Sequence, residues 1–169
     1  VNILIINKYI TLIKRGVFMS KVISLVGQQL DALLENETNI VSNLANAAAL
    51  LFQNYENLNW AGFYIYNDDA KELDLGPFQG KVACMHIKPG SGVVGTAFAN
   101  KESIVVPNVH DFAGHIACDA DSNSELVVPI FKNGEIYGII DIDSPLLNRF
   151  GENEKNEVEE LAEILANHI

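Results

Sequence analysis

Residues 125–144, ELVVPIFKNGEIYGIIDIDS, constrain the chain more than any other stretch. Two β-branched apolar runs flank Asn133-Gly134, a dipeptide that favours the tight turn of a two-residue hairpin. The pattern therefore specifies two adjacent antiparallel strands, and any fold for the chain must contain their sheet. The second run holds an anomaly: Asp141 and Asp143 interrupt IIDID. A strand's period of two puts both carboxylates on one face. Charges there either meet water or need partners, because desolvating a carboxylate costs several kcal/mol. Glu125, at the start of the same hairpin, can add a third. Three carboxylates would suit a metal ion, an ammonium group or a proton held for donation.

The rest of the chain supplies strands and helices in an order that fits such a sheet. From Ile23 to Tyr55 the positions Leu25, Leu30, Leu33, Leu34, Val41, Leu44, Ala48, Leu51 and Phe52 recur mostly at three- and four-residue steps. That is the helical period, and it predicts two helices broken near residues 35–38. WAGFYIY reads as a strand with Trp60, Gly62, Tyr64 and Tyr66 on one face and Ala61, Phe63 and Ile65 on the other. Asn67 to Asp69 form a turn into KELDLGPF, and VACMHI is expected as a further strand after Gly80. GVVGTAFAN reads as a short helix and SIVVPNV as a strand ended by Pro107. Residues 108–123 follow neither period, which marks a binding loop or lid. After Phe150 an amphipathic helix closes the chain with Val158, Leu161, Ile164 and Leu165 inward. Hairpin-linked strands between terminal helices predict an α+β fold: five or six antiparallel strands, helices on one face, loop and ligand on the other.

Composition narrows the function. The 169 residues make one domain-sized core, which needs neither disulfide nor metal to fold. A formal net charge of −11 repels nucleic acid and anionic membrane surfaces. The 22 acidic residues all follow Lys21, whereas the first 21 residues hold Lys8, Lys14, Arg15 and Lys21. That segment is neither an uninterrupted membrane span nor a signal peptide. Residues 1–18 are expected to be an extension outside the fold, with a single domain over 19–169. Cys84 and Cys118, without any CxxC, match no zinc ribbon or secreted disulfide framework, so the expected location is the reducing cytoplasm. They read equally as two buried small side chains or as reactive thiols. Cys118 lies in the irregular loop near His115 and Asp119, where a nearby cation could lower its pKa. Trp60 and Tyr64 read as core aromatics unless the carboxylates share their pocket.

LNWAGFYIY, LGPFQGKVACMHI, GSGVVGTAFA, NVHDFAGHIACDADSNSELVVPIF and GEIYGIIDIDS together resemble the free methionine-(R)-sulfoxide reductases, enzymes built on a GAF domain. The resemblance runs from about Asn39 to the end. It implies a GAF-like six-stranded antiparallel sheet and reduction of free L-methionine (R)-S-oxide, with thioredoxin as external reductant and no bound cofactor or metal. It also implies a catalytic thiol at Cys118, a recycling thiol at Cys84, and substrate-holding carboxylates at Glu125, Asp141 and Asp143, with Glu125 or the Asp143 side of the cluster donating a proton. Trp60 and Tyr64 would wall the pocket. Many members carry a third cysteine where this chain has Val94, so its cycle would close with two thiols. The resemblance and the outer helices make a homodimer reasonable. The competing classes are a non-enzymatic GAF sensor of a small ligand and, more weakly, a metal-dependent hydrolase.

Overall fold

The structure is a computed structural model and describes residues 23–114, 116 and 119–169. The proposed extension, residues 1–18, lies outside the described residues, as do His115 and Cys118. Helices α1 (Leu25–Leu34) and α2 (Ile40–Asn54) come first, followed by strands β1 (Trp60–Asn67), β2 (Glu72–Gly80) and β3 (His86–Ile87). Helix α3 (Gly92–Asn100), β4 (Ile104–Val106), a short 3-10 turn at Val109–Asp111, β5 (Ser124–Lys132), β6 (Glu135–Ser144) and helix α4 (Glu152–Ala166) complete the order. The strands form one sheet in the order β3-β2-β1-β6-β5-β4, every neighbour antiparallel. Among the described residues no helix is long and apolar enough to cross a membrane.

Local chemistry explains the boundaries. Ser24 caps α1 by accepting from the Gly27 N–H at 3.0 Å, and Asn39 caps α2 by accepting from the Ser42 N–H at 3.1 Å. Asn133 and Gly134 both adopt positive φ, +54° and +84°, as a type I′ turn requires. Glu154 turns back to accept from the Gly151 N–H at 3.0 Å and starts α4.

The strand period sorts side chains between two cores. On one face Ala61, Phe63, Leu126, Val128, Ile130, Ile140 and Ile142 pack under Leu30 and Leu34 of α1, Leu44, Ala48 and Leu51 of α2, and Val158, Leu161 and Leu165 of α4. On the other, Trp60, Tyr64, Val127 and Ile139 meet Val93, Val94 and Ala97 of α3 together with Val106 and Val109. This second face carries a helix and an apolar cluster of its own, more than the loop and ligand expected.

One further expectation is corrected. Only His86 and Ile87 of VACMHI pair, opposite Asp74 and Leu73. Residues 82–84 lie outside the ladder, where β1 side chains hold the segment instead: Trp60 Nε1 donates to the Lys81 carbonyl and Tyr64 Oη to the Cys84 carbonyl, each at 3.1 Å, and β2 contact resumes where the Met85 carbonyl accepts from the Leu75 N–H at 2.9 Å. Leu25 and Val41 face outward, 70% and 67% exposed, and Leu33 is also exposed. The inward stripe of the first two helices is narrower than the apolar pattern, since Ala47 and Ala48 let α2 approach the sheet closely.

Candidate active site

The pocket opens on the α3 side of the sheet and is walled by the carboxylate-bearing ends of β5 and β6. Register places Glu125 directly opposite Asp143, and Asp143 in turn opposite Trp60 on β1. Asp141 stands between Val127 and Gly62. One oxygen from each of Glu125, Asp141 and Asp143 lies within 4.8 Å of the others. Glu125 and Asp141 are buried, and Asp141 Oδ1 has no hydrogen-bond partner among the described residues. A buried carboxylate oxygen left unsatisfied is costly, so the arrangement is complete only with a cation or a shared proton in the pocket.

Burial, reinforced by mutual repulsion, raises the Glu125 and Asp141 carboxyls well above the ordinary range. Asp143 is pushed up to about 7, mainly by burial and further by Asp119, against a lowering hydrogen bond from Ser122. Burial and then the three carboxylates hold Tyr64 as a neutral phenol.

These shifts make a stability prediction. Between its ordinary unfolded range and about pH 7, folded Asp143 binds a proton that the unfolded chain has released, so stability falls as pH rises through that window. Asp143→Asn should therefore exceed the native chain in stability by on the order of 3 kcal/mol at pH 8. The gap should close toward pH 4, and urea midpoints at the two pH values measure it. An equal gap at both would mean that the charge is not the cause.

The same pocket is bordered by the N-terminus of α3. Ser91, Gly92, Val93 and Val94 all line the pocket. The first bond of that helix runs from the Gly95 N–H to the Ser91 carbonyl at 3.0 Å, and the Ser91 hydroxyl caps nothing. The N–H groups of the first turn therefore lack helical partners and favour an anion. The cavity thus combines a carboxylate cluster with the N-terminal turn of a helix, groups that complement the two charges of a zwitterion.

The third wall is aromatic. Trp60 stacks on Tyr64, ring centroids 5.9 Å apart, and its other side stacks on Phe78 at 5.2 Å. Gly62 makes room for this stack: a Cβ there would lie 2.3 Å from Phe78 Cβ and 2.7 Å from the Trp60 ring. Val82, Ala83, Ile87 and Ile116 complete the apolar lining.

A GAF domain model matches residues 29–169. Bacillus subtilis protein YtsP is 49% identical over 138 residues, 82% of this chain and 85% of that protein. The Escherichia coli free methionine-R-sulfoxide reductase is 45% identical over 136 residues, covering 80% and 81%. The chain belongs to the free methionine-R-sulfoxide reductase family of GAF domains. The solved structure of the Neisseria meningitidis free methionine-R-sulfoxide reductase in complex with its substrate matches with a TM-score of 0.82 at 41% identity, over 85% of each chain. The six-stranded antiparallel GAF architecture expected from the sequence is thus the one found.

Against that family the structure brings together Trp60, Tyr64, Glu125, Asp141 and Asp143 around one cavity. Val94 lines the same cavity. Cys84 is half-buried beside it on the 81–85 segment and is disulfide-bonded. Cys118 lies outside the described residues. Several neighbours went unread in the sequence. Phe78 backs the Trp60 ring, and Asn59 Nδ2 donates to Asp119 Oδ2 at 3.0 Å and Ser122 Oγ at 2.9 Å. Ser122 and Asp119 also line the pocket. The GSG run before α3 was the available sign of a helix start facing a ligand. A second group with metal-ligand spacing, Glu72, Asp74 and His86, sits on the outer β2–β3 edge, where His86 Nδ1 contacts Asp74 Oδ1 at 2.8 Å.

Proposed function

We propose that this chain is an oxidoreductase that converts free L-methionine (R)-S-oxide to L-methionine. The observation that carries the reading is the charge pattern of the cavity. Buried carboxylates, one with an oxygen that has no hydrogen-bond partner among the described residues, share one pocket with the N-terminus of α3 and the Trp60 and Tyr64 rings. A free amino acid matches both ends: its ammonium answers the carboxylates and its carboxylate the helix N–H groups. Trp60 and Tyr64 then pack the S-methyl group.

The same carboxylates serve the chemistry. A sulfoxide oxygen leaves only when protonated, and a carboxyl kept neutral at physiological pH can protonate it. Glu125 suits this role, being buried and raised well above its ordinary range. The Cys118 thiolate attacks the protonated sulfoxide sulfur and forms an S–S bond to it; the hydroxyl then passes from the substrate sulfur to the Cys118 sulfur as that S–S bond and the substrate S–O bond break, so methionine departs and Cys118 is left as a sulfenic acid. The Cys84 thiol displaces that hydroxyl as water, forming a disulfide. A dithiol such as thioredoxin then reduces it. Electrons pass through thiols alone, so the reading requires no resident cofactor or metal. The disulfide-bonded state of Cys84 supports this cycle. Use of thioredoxin places the protein in the cytoplasm, and a homodimer covering Leu25 and Val41 belongs to the same reading.

The test is NADPH consumption with thioredoxin, thioredoxin reductase and each epimer of free methionine sulfoxide. Turnover of the R epimer is expected. Methionine sulfoxide within a peptide lacks both free charges and should be turned over at least about a hundredfold less efficiently, the size of loss that follows when buried polar groups go unpaired. Comparable rates on the peptide would refute the zwitterion reading.

A further inference from the structure

Lys81 joins two segments that the sheet does not connect. Its carbonyl accepts from Trp60 Nε1 and the Cys84 carbonyl from Tyr64 Oη, so the backbone carrying Cys84 is pinned to the aromatic wall. Its ammonium reaches the other way. Nζ lies 3.4 Å from Asp119 Oδ1 and also pairs with Asp121 Oδ2. Those acids belong to a braced turn: the Asp121 N–H donates to Asp119 Oδ1 at 3.0 Å, while Asn59 holds Asp119 and Ser122 from the head of β1. Asp119 is only 10% exposed, so this half of the bridge is partly shielded from solvent, whereas Lys81 and Asp121 are open to it. In the sequence Asp119 follows Cys118 directly. One cation therefore links the Cys84 segment to the loop that bears the other cysteine.

Lys81 does not line the pocket, although the residues on both sides of the bridge, Val82 and Asp119, do. It is placed to affect how the two segments meet more than how substrate is held. We infer that Lys81 is a positioning residue for the second half of the cycle, holding the 81–85 segment against the 119–122 turn so that the Cys84 thiol meets the Cys118 sulfenic acid. In that step the S–O bond of the sulfenic acid breaks, the S–S bond forms, and hydroxyl and thiol proton leave as water, with no further oxidant consumed. The inference rests on the thiol cycle proposed above.

Single-turnover measurements separate the two halves. Pre-reduced protein is mixed with free methionine (R)-sulfoxide, methionine is assayed in quenched samples, and disulfide formation is followed by loss of alkylatable thiol. Lys81→Met should release methionine at the native rate but form the disulfide about fivefold more slowly, the factor that one partly exposed ion pair can supply. Lys81→Arg should restore it. Added salt should slow disulfide formation in the native chain and leave Lys81→Met unaffected, because exposed charges are screened. Asp121→Asn should show a smaller defect of the same kind. A native disulfide rate in Lys81→Met, an equal loss of methionine release, or failure of Arg to rescue would overturn the role of Lys81. A native chain that yields no methionine would instead overturn the proposed function.

Discussion

Cys118→Ser is expected to abolish turnover of free methionine (R)-sulfoxide, lowering kcat by at least about a thousandfold. A serine hydroxyl is neither nucleophilic enough to attack a sulfoxide sulfur nor able to accept the oxygen as a stable sulfenic acid. The electrostatic pocket remains intact in this variant, so substrate should still protect it against thermal unfolding. The contrast with Cys84→Ser is the informative part. That variant keeps the attacking thiol and loses the thiol that resolves its oxidised product. It should release about one methionine per chain and then stall with a sulfenic acid that a dimedone-type probe traps. NADPH consumption and acid-quenched methionine yield distinguish the two. Multiple turnovers by Cys118→Ser would transfer the nucleophile role to another residue.

Glu125→Gln is expected to lower kcat by a factor of about 100 to 10,000, the usual contribution of a positioned general acid. Burial comes first among the causes that raise the Glu125 carboxyl, followed by the charges of Asp141 and Asp143, so the proton is retained well above the ordinary carboxylate range. The sign for activity follows: the protonated form is the donor, and kcat in the native chain should fall as pH rises through the raised pKa. In Glu125→Gln this alkaline limb should vanish along with the rate. Loss of structure is not the explanation to expect. Folding at pH 8 must place a proton on Glu125 or bury its charge, and a neutral amide needs neither, so the variant should be at least as stable as the native chain at pH 8. A pH profile of kcat together with a melting curve checks both statements. A variant within threefold of native activity would move the proton donor to Asp143.

Much of this site was legible because it is local. The alternation in WAGFYIY and IIDID put Trp60, Tyr64, Asp141 and Asp143 each on a definite strand face, and the Asn133-Gly134 turn announced the β5–β6 pairing, but Glu125 comes opposite Asp143 only through the register shift between Ile130 and Phe131, which no local pattern announced. Helix breaks, caps and the hairpin were likewise written in neighbouring residues, whose steric and hydrogen-bonding preferences act over a few positions. Where the local pattern was followed too far, it misled. VACMHI alternates like a strand, yet two side chains of β1 capture the backbone of Lys81 and Cys84, and only two residues remain in the ladder. The apolar period of α1 and α2 likewise included Leu25 and Val41, which the packing leaves outside.

By itself the sequence determined which residues of a strand share a face and where the helices and the β5–β6 hairpin lie, and the family resemblance singled out two thiols and three carboxylates as candidates. Tertiary structure alone decided that the α3 N-terminus shares a pocket with those carboxylates, that Phe78 stacks on the Trp60 ring, and that Lys81 reaches Asp119 and Asp121. The division has a physical cause. Strand and helix periods are imposed by the backbone on successive residues, so a short window reveals them. The burial that raises the three carboxylates, and the helix terminus that shares their pocket, come from segments far apart in the chain, and meet only once the chain has closed around the pocket.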